Sequence, residues 1–204
     1  LLKPYFSTMA LSQSEKPRLV LSQIELENFK SYYGRRVIGP FHKRFSSIVG
    51  PNGSGKSNVI DALLFVFGRR AKQIRLKKIS ELVHSSEQHP NCQQARVNIY
   101  FQEIIDIDED GDEALGIDDK YKVVENSQIV ISRVATKQSK SQYLINNKTA
   151  TFTKVKELLL TKGIDLNNNR FLILQGEVES IAMMKPKRMD NGDGTTSSSA
   201  SDGL

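Results

Sequence analysis

One cysteine, Cys92, stands among 204 residues. No disulfide framework can be built from it, and it suits a reducing compartment. No apolar run approaches the roughly 20 residues that a membrane-spanning helix needs. The first residues lack the basic, apolar, small-residue order of a secretory signal. The sequon Asn147-Lys148-Thr149 therefore carries no message. Charge is not extreme either: 29 Lys and Arg against 23 Asp and Glu, net +6. That bias is compatible with a nucleic-acid partner without requiring one. His84 and His89 have no metal-ligand company and read as structural or surface residues.

What is present is Gly50-Pro51-Asn52-Gly53-Ser54-Gly55-Lys56-Ser57, followed by Asn58. It fits the phosphate-binding loop G-x-x-x-x-G-K-[ST] at every fixed position. Backbone N–H groups must turn inward at phosphate oxygens, so Gly50, Gly53 and Gly55 supply conformations and close approach that side chains would block. Lys56 reaches the β- and γ-phosphates as a point charge, and Ser57 offers a hydroxyl to Mg²⁺. A glycine-rich turn with a chance lysine is the bland alternative; in a chain of this length it is roughly a one-in-a-hundred event. Ahead of the loop, Phe45–Val49 is short and apolar enough for a buried strand. Behind it, Asn58–Phe67 reads as a largely buried helix. The motif alone does not separate kinase, GTPase and ATPase.

Strands are expected over Arg18–Phe29, Val37–Phe41, Ala95–Ile105, Gln128–Ala135, Gln142–Ile145, Thr149–Phe152 and Phe171–Leu174. A turn is expected at Lys30–Gly34, a short helix at Ile79–His84, and a helix capped by Thr153 that Gly163 stops. Residues 1–17 and 188–204 read as tails, the second rich in Gly, Ser, Thr and Asp. Six of the ten residues from Arg69 to Lys78 are basic. This run is either a solvated face or a contact to phosphate or DNA.

Two partial motifs fail. Asp106, Asp108, Asp110 and Gly111 imitate a calcium loop, but Ile117 stands where a bidentate Glu is needed. Asp108-x-x-Gly111 imitates a GTPase element, but the guanine-reading N-K-x-D is missing, since Asn147-Lys148-Thr149-Ala150 ends in Ala. An ATPase also needs an apolar strand ending in Asp and Glu. Ile104-Ile105-Asp106 is the nearest approach, and Ile107 follows it. No Leu-Ser-Gly-Gly signature occurs. The chain therefore carries half of an ATP site.

Phe29-Lys30-Ser31-Tyr32, the loop 50–58 and Phe171-Leu172-Ile173-Leu174-Gln175-Gly176-Glu177-Val178 together resemble the amino-terminal head half of structural-maintenance-of-chromosomes (SMC) proteins. Gly39–Phe45, Asn169–Glu177 and Ile181–Lys187 are similar to the condensin branch of that family. The resemblance covers about residues 20–187 and implies an α/β fold: a P-loop NTPase, ABC-type head half with a mixed central sheet and a flanking antiparallel β layer. Residues 18–187 would form its N-terminal lobe. ATP and Mg²⁺ are the implied cofactors. Gln175 matches the glutamine near Mg²⁺ and the attacking water, a catalytic and metal-contacting role. Arg75 matches an arginine near the nucleotide phosphates, and Lys30 sits in a turn near the nucleotide. Implied partners are the C-terminal head half of the same protein, a second SMC subunit, a kleisin, HEAT-repeat condensin subunits and DNA, with no membrane. The implied place is nucleus and chromosome, with cytoplasm also open. A DNA-repair or cohesin-like relative, or a non-hydrolysing binding module, are the alternatives. Past Arg188 the family would continue into acidic helix and coiled coil; the Gly/Ser/Thr/Asp tail departs from that.

Overall fold

The structure is a computed structural model that describes residues 16–68, 78–107, 120–166 and 183. Two compact units divide the chain, Leu1–Asn167 and Asn168–Leu204. Met183 alone is described in the second, so the architecture below is that of the first.

Alternating apolar and polar residues build a seven-stranded sheet. Its strands are β1 (Arg18–Phe29), β2 (Tyr32–Ile38), β3 (Gln94–Asp106), β4 (Tyr121–Val123), β5 (Ile129–Thr136), β6 (Ser141–Ile145) and β7 (Lys148–Ala150). The order is β2-β1-β3-β5-β6-β7, with β4 paired to β3. The register stacks one apolar row across the strands: Ile38 opposite Ile24, Ile24 opposite Ile99, Ile99 opposite Ile131, Ile131 opposite Ile145. Ile24, Ile99 and Ile131 are fully buried. Helix α1 (Lys56–Val66) lies against β3 and β5 and buries Ala62, Phe65 and Val66. Phe65 meets Phe29 of β1 at 5.9 Å between ring centres. Helix α2 (Phe152–Thr161) buries Val155 and Leu159.

Every described pairing is antiparallel. This is the expected antiparallel layer together with the P-loop helix. Two further strands of the expected mixed sheet are Phe45–Val49 and Phe171–Leu174. The second lies outside the described residues. The first is irregular, with Phe45 77% and Val49 84% exposed. A strand exists only by bonding to a neighbour, and no described strand pairs with 45–49.

Three smaller expectations shift. The second strand begins at Tyr32, not Val37, because the turn closes in Lys30 and Ser31 with Lys30 at φ 49°. The cap of α2 is Thr151, whose hydroxyl accepts from the Lys154 N–H, two residues before the expected Thr153. The segment Ile79–Leu82 is a single 3-10 turn. Asn146 and Asn147, both at positive φ, make the hairpin turn between β6 and β7. Among the described residues no helix is long and apolar enough to cross a membrane.

Candidate phosphate-binding site

Residues 50–55 form a loop that leads into α1, whose first residues are Lys56, Ser57 and Asn58. Pro51, Asn52, Gly53 and Ser54 are exposed, as is Ser57. Gly53 and Gly55 take φ of 81° and 93°, a region that side-chain-bearing residues rarely adopt. Gly55 is also boxed in: a Cβ there would stand 3.0 Å from Ser31 Oγ and 3.2 Å from Tyr32 Oη. A Cβ on Gly50 would stand 2.9 Å from Ser54 Oγ. At Gly55 the positive φ and the crowding by Ser31 and Tyr32 together call for glycine, whereas at Gly50 the exposed Ser54 side chain would have to move aside.

Helix α1 begins on Gly55 with no side-chain cap and no acidic residue in its first turn. A helix start leaves N–H groups without intrahelical partners and carries a partial positive charge. Lys56 adds a full charge: its Nζ donates to Gly50 O at 2.6 Å and Pro51 O at 2.7 Å, arching over the loop. These features fit a phosphate group. Ser57, exposed beside them, fits the Mg²⁺ hydroxyl role. Asn58 Nδ2 donates to Ser31 Oγ at 2.7 Å, so its side chain faces the β1–β2 turn.

Lys30 lies in that turn. Its Nζ donates to Asp61 of α1, and both side chains are largely buried. Its charge is therefore matched within the fold. His84 holds the turn from the other side: its Nδ1–H donates to Lys30 O at 2.7 Å, and Lys30 N–H donates to Leu82 O at 2.8 Å. His84 is thus structural, and His89 stacks on Tyr33 at 3.5 Å. Arg75 and Gln175 lie outside the described residues. No group of metal-binding side chains occurs among the described residues. Asp106, the rejected acidic candidate, is engaged by Arg18 and by Lys43 Nζ at 2.9 Å. Its carboxyl is held well below the usual range, first by Arg18 and then, against the cost of burial, by Lys43.

Reading by sequence missed Ser31, Tyr32 and Asp61 as parts of this site. Tyr32 Oη donates to Gly55 O at 3.2 Å. The available signal was spacing: Gly55, Asn58 and Asp61 recur every three residues and so share one helix face.

Comparison with known proteins agrees with this geometry. The family described as the RecF/RecN/SMC N terminal domain matches residues 20–183. "Structural maintenance of chromosomes protein 4" of Dictyostelium discoideum is 56% identical over 86% of this chain and 12% of its own length. The human protein of the same name is 53% identical over 86% of this chain and 13% of its own. The chain thus spans about an eighth of the length of these relatives. Among solved structures, one described as "Structural biochemistry of ATP-driven dimerization and DNA stimulated activation of SMC ATPases" superposes with TM-score 0.66 at 34% identity. It covers 81% of this chain and 92% of that one. An Smc head domain with an extended coiled coil, bound to the C-terminal domain of ScpA and derived from Pyrococcus furiosus, gives 0.65 at 34% identity, covering 82% and 39%.

Proposed function

The chain belongs to the RecF/RecN/SMC N terminal domain family, and from that premise we propose that it is the ATP-binding head portion of a condensin-type SMC protein, subunit four. One observation carries the reading: α1 starts uncapped on a glycine cradle with Lys56 over its mouth. ATP with Mg²⁺ is the ligand that this loop, Ser57 and the family's ATPases point to. Residues 18–187 act as the N-terminal lobe. Head engagement driven by ATP would then serve mitotic chromosome condensation in the nucleus. The relatives named protein 4 favour condensin over repair or cohesin-like members.

The partners follow from the same reading. The C-terminal head half supplies the acidic pair and signature that this sequence does not contain. A second SMC subunit closes over the γ-phosphate. The ScpA-bound neighbour supports a kleisin partner; HEAT-repeat subunits and DNA complete the set. If the run Arg69–Lys78 meets DNA, affinity falls steeply with salt and alike for all sequences. Reversing Lys77 and Lys78 to Glu then weakens DNA binding uniformly.

The chain by itself binds ATP without turning it over. Phosphate positioning resides in Gly50–Lys56 and a metal hydroxyl in Ser57, with Gln175 and Arg75 as further contacts. Lacking a general base typically costs a factor of about 10² to 10⁴, and the missing signature lowers turnover further. The test is an ATPase assay on the 204-residue chain, then on the chain with the C-terminal half and a partner head. Turnover is expected only in the second, and Gln175→Leu should remove it while sparing ATP binding. Robust Lys56-dependent hydrolysis by the chain alone would overturn the reading.

A further inference from the structure

The turn between β1 and β2 is tied to the phosphate loop in reverse order, residue for residue. Tyr32 Oη donates to the Gly55 carbonyl at 3.2 Å, Ser31 Oγ accepts from Asn58 Nδ2 at 2.7 Å, and Lys30 Nζ pairs with Asp61. Residues 55, 58 and 61 fall on one face of the helix, and 32, 31 and 30 run past them in the opposite sense. The turn itself is fixed from behind. Lys30 holds a left-handed backbone, φ 49°, which is costly for a lysine. Both its backbone groups are taken by the segment 82–84.

Gly55 is where this matters. Its carbonyl and the N–H of Lys56 belong to one planar trans peptide, so the two point in opposite directions. Whatever fixes the Gly55 carbonyl also aims the Lys56 N–H. The carbonyl accepts from Asn58 N–H at 2.9 Å within the helix start, and from Tyr32 on the turn. Glycine has no side chain to hold this peptide in place, so its orientation rests on the bonds made to its carbonyl. The tyrosine hydroxyl supplies a second restraint beside the Asn58 N–H.

We infer that Tyr32 is a positioning residue for phosphate binding: it sets the Gly55–Lys56 peptide, and with it the amide that meets the anion. Ser31 assists by holding Asn58, one turn further along. This rests on the phosphate-loop reading above and deepens it. Tyr32 touches no reacting atom; it acts through Gly55.

The test uses the full chain, with labelled ATP titrated directly and inorganic triphosphate as competitor. Tyr32→Phe keeps the ring beside Gly55 and removes only the hydroxyl. Loss of one neutral hydrogen bond predicts affinity lower by about five-fold. The same factor is expected for ATP and for triphosphate, with the melting temperature in the absence of ligand lower by about 2–4 °C, since the bond is present in the unliganded fold. A purely structural role would give the same fall in melting temperature and spare the phosphate-only ligand. Tyr33→Phe, whose ring stacks on His89, should match the unaltered chain. Lys56→Ala runs alongside. If it leaves ATP affinity unchanged, the phosphate-loop reading itself fails. If it removes binding while Tyr32→Phe binds triphosphate like the unaltered chain, the positioning role alone is overturned. Should Tyr32→Phe fail to fold, Ser31→Ala decides: weaker triphosphate binding supports the role, and unchanged binding overturns it.

Discussion

At its amino end, helix α1 begins on Gly55, with no side chain capping it and no acid in its first turn. At its carboxyl end, the Phe65 carbonyl receives both Gly68 N–H and Arg133 Nη1, the latter at 2.7 Å. The Arg133 guanidinium lies 4.5 Å from the Phe65 ring and 4.6 Å from that of Tyr143. A Cβ on Gly68 would stand 2.3 Å from the Phe152 ring, so that end is closed sterically as well. The helix dipole is thus answered permanently at its negative end and left open at its positive one. Burial is costly for Arg133, pulling its guanidinium below the ordinary range, with Tyr143 partly opposing. The fold accepts that cost to fix the carboxyl end of the helix. The other end is built from glycine and held through the Lys30–Tyr32 turn and the Lys56 bonds to its own loop.

The contrast predicts that function and stability separate along one helix. Lys56→Ala should reduce ATP affinity by about 100-fold or more, from loss of charge-assisted contacts to phosphate. The melting temperature without nucleotide should barely move, since among the described residues Lys56 bonds to its own loop carbonyls alone. Calorimetric titration beside a thermal melt checks both halves. An unchanged dissociation constant would end the idea that the open end is an anion site.

Arg133→Ala is the mirror experiment. It leaves the Phe65 carbonyl with one partner fewer and opens a gap between two rings. The expected loss is about 3 kcal/mol, combining cation–π, hydrogen-bond and cavity contributions. Denaturant unfolding reads it, and ATP affinity of the folded fraction should hold. If binding collapses while stability holds, the two ends have been assigned the wrong way round.

Gly68→Ala probes the closed end more gently. The residue sits at φ 75°, where an alanine costs on the order of 1–2 kcal/mol. Phe152 is 38% exposed, so its ring can swing aside. The sharper readout is therefore local: altered hydrogen exchange at the start of α2, with the phosphate loop unaffected. Equal change at both ends of α1 would show that they are coupled.

Much of this was legible in the sequence, for reasons that differ by element. β1, β3 and β5 announce themselves because one face of each is buried, which forces alternation such as Val97, Ile99 and Phe101. The phosphate loop is legible because chemistry fixes glycine, lysine and serine at set spacings. Phe45–Val49 misled because apolar residues specify a strand only where a neighbour is available to bond. Thr153 misled because two threonines flank Phe152, and the helix chose the earlier one. Tyr32 was invisible as a site residue because its partner Gly55 stands 23 positions away. Arg133 was invisible for the same reason, its carbonyl partner lying 68 positions back.

The smallest expected effect concerns neither end of the helix and so serves as a control on both. Glu25 on β1 takes two bonds from Arg35, at 2.8 and 2.9 Å, and one from Tyr100 Oη at 2.9 Å. Arg35 holds its carboxyl below the usual 4.5; burial opposes this, and Tyr100 adds to it. A lowered folded-state value means that the folded protein keeps the ionised form where the unfolded chain would take up a proton. The stabilisation is therefore fully present above 4.5 and is lost as pH falls from there toward the folded value. Arg35 is 69% exposed in its side chain, so solvent screens the pair and the gain is modest. Glu25→Gln should consequently lie slightly below the unaltered chain in urea stability at pH 7, and the two curves should converge as pH drops below 4.5. ATP affinity at pH 7 should be the same in both. A stability gap that stays constant down the acid limb would show that Glu25 contributes through packing rather than charge. A change in ATP affinity would show that the sheet and the open end of α1 are not independent.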